Sequence, residues 1–285
     1  MKTTPPDTRT PLPLRDPTRD ASQNHYWNYH RLPALLACKQ PLTDSQDEDL
    51  FIAVHQVCEI AFHQMVIDLQ RGLDAWCSAL HAPDDGVCDD PAEAVYFLQR
   101  VLRLWRTVNT TMPVLADMRG FAQFRTSIGP TSGFQSLQFR HIEILSGVSR
   151  PYWQGGTADA QGRPHVAESE FDRLHGAQVA QWMVDHQDHS LAQHWRVCLQ
   201  RLASAAPAVQ ATARLRLAAL ITQLKDYDAA QAAFHRGHLQ LAVVQLARVG
   251  VEVGTGGTHF KDYLAKYARE VTPLFEGVGL AAVGG

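Results

Sequence analysis

Two histidines three residues apart, His235 and His238, open the run FHRGHLQLAVVQLARVGVEVGTGG, residues 234–257. On a helix that spacing makes them near neighbours on one face, and two chemistries follow. Both imidazoles could ligate a non-heme metal, or one could be the axial ligand of a porphyrin iron while the other turns to the surface. The residues after His238, LQLAVVQLA, are apolar and carry no carboxylate, which suits a flat hydrophobic macrocycle better than a hydrated cation. An ordinary core helix with incidental histidines is the third reading.

A second candidate lies far upstream. Phe51, His55, Cys58 and Phe62 stand at i, i+4, i+7 and i+11, one face of a helix. A single histidine on such a stripe is most often a core histidine bonded to a carbonyl. With Glu59 one turn on, it is also half of a non-heme site, but no second E-x-x-H pair completes a di-iron pattern. Arg125, in GFAQFRTSIGPTSGF, has apolar neighbours and no nearby acid in sequence, so it is either an anion clamp or one end of a long-range salt bridge. The GTGG turn at 254–257 offers backbone N–H groups and the Thr255 hydroxyl, donors that could close over a carboxylate; a plain hinge would read the same way.

These residues need long helices to hold them. Acidic residues open a run of helical periodicity from 47 to 76, and a second helix is expected from 90 to 109. A shorter helix is expected around PVLADMRGFAQFR. Another follows SIGPTSG, with Ser132 as its cap. Residues 148–164, rich in glycine and proline, read as a loop. Helices resume over 167–186, 190–202 and 208–247, the last either continuous or broken near Asp226, where KDYD interrupts the apolar pattern. No alternating β-branched run of strand length occurs, so the fold class is all-α: one domain of packed long helices from residue 25 to 285, preceded by a flexible proline-rich arm over 1–24.

Composition narrows the functional classes. With 26 basic and 29 acidic residues in 285, the net charge of −3 gives no footprint for nucleic acid or an anionic membrane. Five scattered cysteines without a C-x-x-C pair argue against a disulfide framework or a thiolate zinc site and for a reducing, cytoplasmic setting. The N-terminal residues lack a signal-peptide core, and no charge-free run is long enough to cross a bilayer. Fourteen histidines raise the expectation of a metal or proton-handling site.

Taken together, DEDLFIAVHQVCEIAFHQ (47–64), FRTSIGPTSGFQSLQFR (124–140), GTGGTHFKDYL (254–264) and, more weakly, YWNYHRLPALL (26–36) resemble the heme-dependent tryptophan 2,3-dioxygenase family. The resemblance covers residues 25–147 and 227–275. It implies heme b with dioxygen as co-substrate, and an aromatic amino acid cleaved at the indole C2–C3 bond. It implies that His55 accepts a hydrogen bond from the indole N–H, that Phe51 packs on the ring, and that Arg125 clamps the carboxylate. Thr255, with Gly254 and Gly256, would contact the amino-acid end. Tyr26 and Tyr29 would complete a neighbouring subunit's pocket in a homo-oligomer, a tetramer or a dimer.

The sequence departs from that family at informative places. A tyrosine one turn before the clamp arginine is here Phe121, which removes one hydroxyl from the substrate site. Ile60-Ala61 replaces a Leu-Trp pair, and both changes imply altered volume near the pocket. Counting back from GTGG by the family spacing lands on Leu241, which cannot bind iron; GHLQL instead resembles the indoleamine 2,3-dioxygenase family, which makes His238 the iron ligand. Two alternatives stand beside indole cleavage: peroxide-driven hydroxylation of tyrosine or a related phenolic amino acid, and a non-catalytic heme-binding or sensor protein.

Overall fold

Acidic side chains organise the start of the central helix. A computed structural model describes residues 25–81, 86–127, 136–148, 157–158, 164–165, 170–250 and 274–275. Helix α3 spans Gln46–Leu80 and carries Asp47, Glu48 and Asp49 in its first turn, where the helix dipole favours negative charge. The Glu48 carboxylate accepts the backbone N–H groups of Leu42 (2.8 Å) and Thr43 (2.7 Å), which fixes the chain entering the helix. Two short helices precede it, α1 (Tyr26–Tyr29) and α2 (Leu32–Ala37), both largely exposed.

Helix α4 (Ala92–Thr111) lies along α3, and buried Asp68 joins the two by accepting from Arg100 Nε at 3.0 Å. The chain then tightens into a 3-10 turn, Met112–Asp117, and a single-turn helix α5, Phe121–Phe124, where one short helix is expected from sequence. Helix α6 (Leu137–Ser146) is capped by Ser136, whose hydroxyl accepts from Phe139 N, so Ser136 and not Ser132 starts the helix; Ser132 lies outside the described residues. Gly147 ends α6 at φ 100° in the left-handed region, and its N–H bonds Glu143 and Ile144 carbonyls. Within the expected loop, β1 (Thr157–Ala158) and β2 (Pro164–His165) form a two-residue antiparallel pair, a minor exception to an otherwise helical fold. Helices α7 (Glu170–Asp185) and α8 (Leu191–Ser204, capped by Ser190) follow.

Helix α9 runs unbroken through Pro207–Arg248, 42 residues. KDYD does not break it, because Tyr227 faces inward. Its buried hydroxyl shares a 2.6 Å hydrogen bond with Ser146 Oγ, and Gln231 Nε2 bonds both oxygens at 3.3 Å. Both ends of α9 are tied to neighbours: Arg216 donates to Cys88 O (2.7 Å), and Arg248 donates to Ala116 O (2.9 Å) and Met118 O (2.7 Å). The core between α3, α4, α6 and α9 is filled by Trp76, Trp105, Tyr227, Phe124, Met65 and their aliphatic neighbours.

By length and composition α3 is apolar enough to cross a membrane, although Glu59 and Asp68 interrupt its apolar run. Most of its apolar side chains from Val54 through Trp76 pack into the core, with Val57 and Ile60 left exposed. The N-terminal arm, residues 1–24, lies outside the described residues.

Candidate functional site

The stripe expected on α3 forms, and its geometry is specific. His55 Nδ1 lies 2.7 Å from the Phe51 carbonyl oxygen. A carbonyl only accepts, so Nδ1 carries the proton and Nε2 is left as an acceptor in the neutral ring. Burial pushes the imidazole below its ordinary range, which keeps it neutral, and the Phe51 bond only partly offsets that shift. The Phe51 and His55 rings are 4.1 Å apart, and Phe51 also meets Phe124 (5.4 Å) and Phe121 (6.2 Å).

Those last two rings belong to α5, whose position is set by α3. Asp47 accepts the backbone N–H groups of Arg119 (2.7 Å) and Gly120 immediately before α5. The approach is close: a Cβ at Gly120 would sit 2.7 Å from Ser45 Oγ and 3.1 Å from Asp47 Oδ2, so a larger residue would have to displace these side chains. Arg125 caps α5 with its N–H on Phe121 O at 3.0 Å, and its side chain is half-buried. The clamp candidate is thus fixed to the same frame as His55.

Helix α9 brings the two downstream histidines to the same region. Burial, repulsion from His55 and repulsion from Arg140 push His238 down to about 4; burial, His238 and Arg140 do the same to His235. The His238 ring stacks on Phe234 at 6.0 Å, and His235 meets Phe139 edge-on at 5.9 Å. Phe234, Phe139, Phe62 and Trp105 form a continuous aromatic cluster beneath them. Leu241, the position reached by the family spacing, packs against the core.

Sequence reasoning missed Arg140 and Glu143, a buried pair at 2.5 Å with the guanidinium 4.9 Å over the Phe139 ring. Its signal was present as R-x-x-E in FRHIE, one helical turn. Burial raises Glu143 above the ordinary carboxylate range, and Arg140 offsets only part of that shift. Glu59 meets Ser136 and is raised by burial. Neither His55 with Glu59 nor His235 with His238 gathers a third metal-ligating side chain among the described residues, so the non-heme reading finds no ligand set there.

Several expected residues are not brought in. Tyr26 and Tyr29 are 74% and 57% exposed and pack on His30. Ala61 is buried in the main core and Ile60 is exposed. Gly254, Thr255 and Gly256 lie outside the described residues.

Residues 14–194, more than half of the chain, match the family model of tryptophan 2,3-dioxygenase. The chain belongs to the tryptophan 2,3-dioxygenase family. Among its relatives, the tryptophan 2,3-dioxygenase of Anaeromyxobacter sp. (strain K) is 34% identical over 169 residues, 56% of this chain and 60% of the relative. That of Anaeromyxobacter dehalogenans is 36% identical over 170 residues with the same coverage, and that of Herpetosiphon aurantiacus 35% over 130 residues, 44% of this chain and 46% of the relative. The chain therefore spans about 60% of the length of the first two. The family match contains Phe51, His55, Phe121 and Arg125 and ends inside α8, so His238 and Thr255 lie beyond it.

Proposed function

We propose that this chain binds heme b and, with dioxygen, cleaves the indole C2–C3 bond of L-tryptophan or a substituted tryptophan to an N-formylkynurenine. Both oxygen atoms enter the product, so no external reductant is consumed. The observation that carries the reading is the His55–Phe51 hydrogen bond. It leaves an acceptor at Nε2, the partner an indole N–H requires, beside a phenyl ring on which the indole can lie.

The donor set suits heme. His238 is held neutral, so its lone pair is available to iron, and the neighbouring rings of Phe234, Phe139 and Phe62 offer apolar surface for a macrocycle. When bound, heme supplies the dioxygen chemistry. The chain's own residues bind and orient. Arg125 pairs with the substrate carboxylate, Phe51 holds the ring, His55 takes the indole N–H, and Thr255 with Gly254 and Gly256 closes on the amino-acid end. Phe121 stands beside Phe51 and contributes shape without a hydroxyl.

The exposure of Tyr26 and Tyr29 is in keeping with a homo-oligomer, a tetramer or a dimer, in which they reach a neighbour's pocket. All five cysteines are free, in keeping with a cytoplasmic setting. The relatives reported above are all named for tryptophan, and no observation favours the phenolic substrate.

The test is a spectrum followed by a product assay. Reconstituted protein should show a Soret band that His238→Ala loses, and the ferrous form should convert L-tryptophan and oxygen to N-formylkynurenine. A Soret band without product would leave a heme-binding sensor, a catechol from tyrosine with peroxide would make it a hydroxylase, and no Soret band would remove the heme.

A further inference from the structure

A second cluster of metal-ligating side chains lies at the other end of α3, outside the His55–His238 region. Asp74 and Cys77 are one helical turn apart on α3, while Trp76 between them points into the core. The turn between α7 and α8 supplies His189, and the first turn of α8 supplies His194, whose N–H bonds the capping residue Ser190 at 2.9 Å. The ligating atoms of Cys77, His189 and His194 all lie within 4.8 Å of one another. Tetrahedral bonds of about 2.0–2.3 Å put neighbouring ligand atoms roughly 3.5 Å apart, so small side-chain rotations close the set.

Two further observations point to a ligand. His194 is 4% exposed, its ring meets Trp76 edge-on at 5.6 Å, and its buried Nδ1 has no hydrogen-bond partner among the described residues. Such a nitrogen is costly to bury unless something binds it. His189 Nε2 lies 3.2 Å from Asp74 Oδ1, the arrangement in which a carboxylate orients a ligating imidazole.

We infer that Cys77, His189 and His194 form a binding site for a divalent transition-metal ion of the zinc class, with Asp74 orienting His189. One thiolate and two imidazoles select a borderline ion over calcium or magnesium. The absence of a C-x-x-C pair excluded such a site only on sequence spacing; the fold assembles it from helices far apart in the chain. The ion would clip the α7–α8 turn to the helix that carries His55.

The test uses the full chain, stripped with chelator and titrated with Co(II). One equivalent should give visible ligand-field bands and a near-ultraviolet thiolate-to-cobalt band, both displaced by Zn(II). Cys77→Ser should lose the charge-transfer band, and His189→Ala, at a partly exposed position where folding is not at stake, should weaken cobalt binding at least tenfold. His55→Ala and His238→Ala should bind cobalt like wild type, so the result is independent of whether heme binds. A charge-transfer band that survives Cys77→Ser, cobalt affinity unchanged in His189→Ala, or no cobalt bound at one equivalent would overturn the site.

Discussion

Asp47, in the first turn of α3, holds the backbone N–H of Gly120, and through that contact the helix carrying His55 fixes the segment carrying Arg125. Two residues 73 positions apart thus set the distance between the proposed indole acceptor and the proposed carboxylate clamp. Asp47→Ala removes the acceptor of two backbone donors, one exposed and one part-buried, and losing hydrogen bonds that solvent can partly replace costs about 0.5–1.5 kcal/mol each. The expected result is a lowered midpoint in urea, together with a raised KM for tryptophan and an unchanged Soret band. An unaltered KM would show that Arg125 keeps its place without this tie.

Tyr227→Phe tests what keeps α9 straight. The change deletes one hydroxyl and leaves Ser146 and Gln231 with a lost partner in a buried setting. A loss of about 1–3 kcal/mol in chemical denaturation is expected. Tyr227→Leu should cost more, because the ring also packs edge-on against Trp105 at 6.4 Å.

Acid should weaken the fold through its histidines. Burial holds His141 at about 3 and His194, His235 and His238 at about 4, whereas in the unfolded chain each takes up a proton near 6.5. Between those values the unfolded state binds more protons, so stability declines as pH falls from about 6.5 towards 4. Thermal unfolding followed across that window should show Tm dropping with pH. A flat Tm would mean that these rings titrate as if in water.

The clamp and the missing hydroxyl can be probed together. Arg125→Lys keeps the charge but cannot form the paired N–H contacts to a carboxylate, so KM for tryptophan should rise at least tenfold with heme absorbance unchanged. Phe121→Tyr restores a phenol one helical turn before Arg125 and should lower KM several-fold. Equal KM values in Phe121→Tyr and wild type would place the substrate carboxylate away from α5.

Much of this was legible in the sequence because helical periodicity is a local property. The start of α3 at Gln46 and the cap of α8 at Ser190 follow from acidic residues and a serine before an apolar run. The cap of α6 was misplaced because SIGPTSGFQS offers several serines and a threonine, and only packing selects Ser136. The apparent break near Asp226 came from a buried polar residue, Tyr227, whose partners Ser146 and Gln231 become visible only when α6 and α9 meet. The Phe51–His55 bond was readable as i, i+4. The approach of His238 to His55, the Arg140–Glu143 pair above Phe139 and the gathering of Cys77 with His189 and His194 join distant elements or depend on burial, which spacing along the chain does not encode.

Helix α9, anchored by Arg216 at Cys88 and by Arg248 at Met118, behaves as a ruler clamped at both ends. Each residue added to an α-helix advances the azimuth by about 100°, so a single insertion between Arg216 and His238 would turn the imidazole away from the His55 side. A shift of three positions, the interval from Leu241 back to His238, returns to within about 60° of the same direction and moves about 4.5 Å along the axis. Over this stretch the outward-facing side chains can be exchanged, but the count of residues can change without turning His238 aside only in steps that complete a turn.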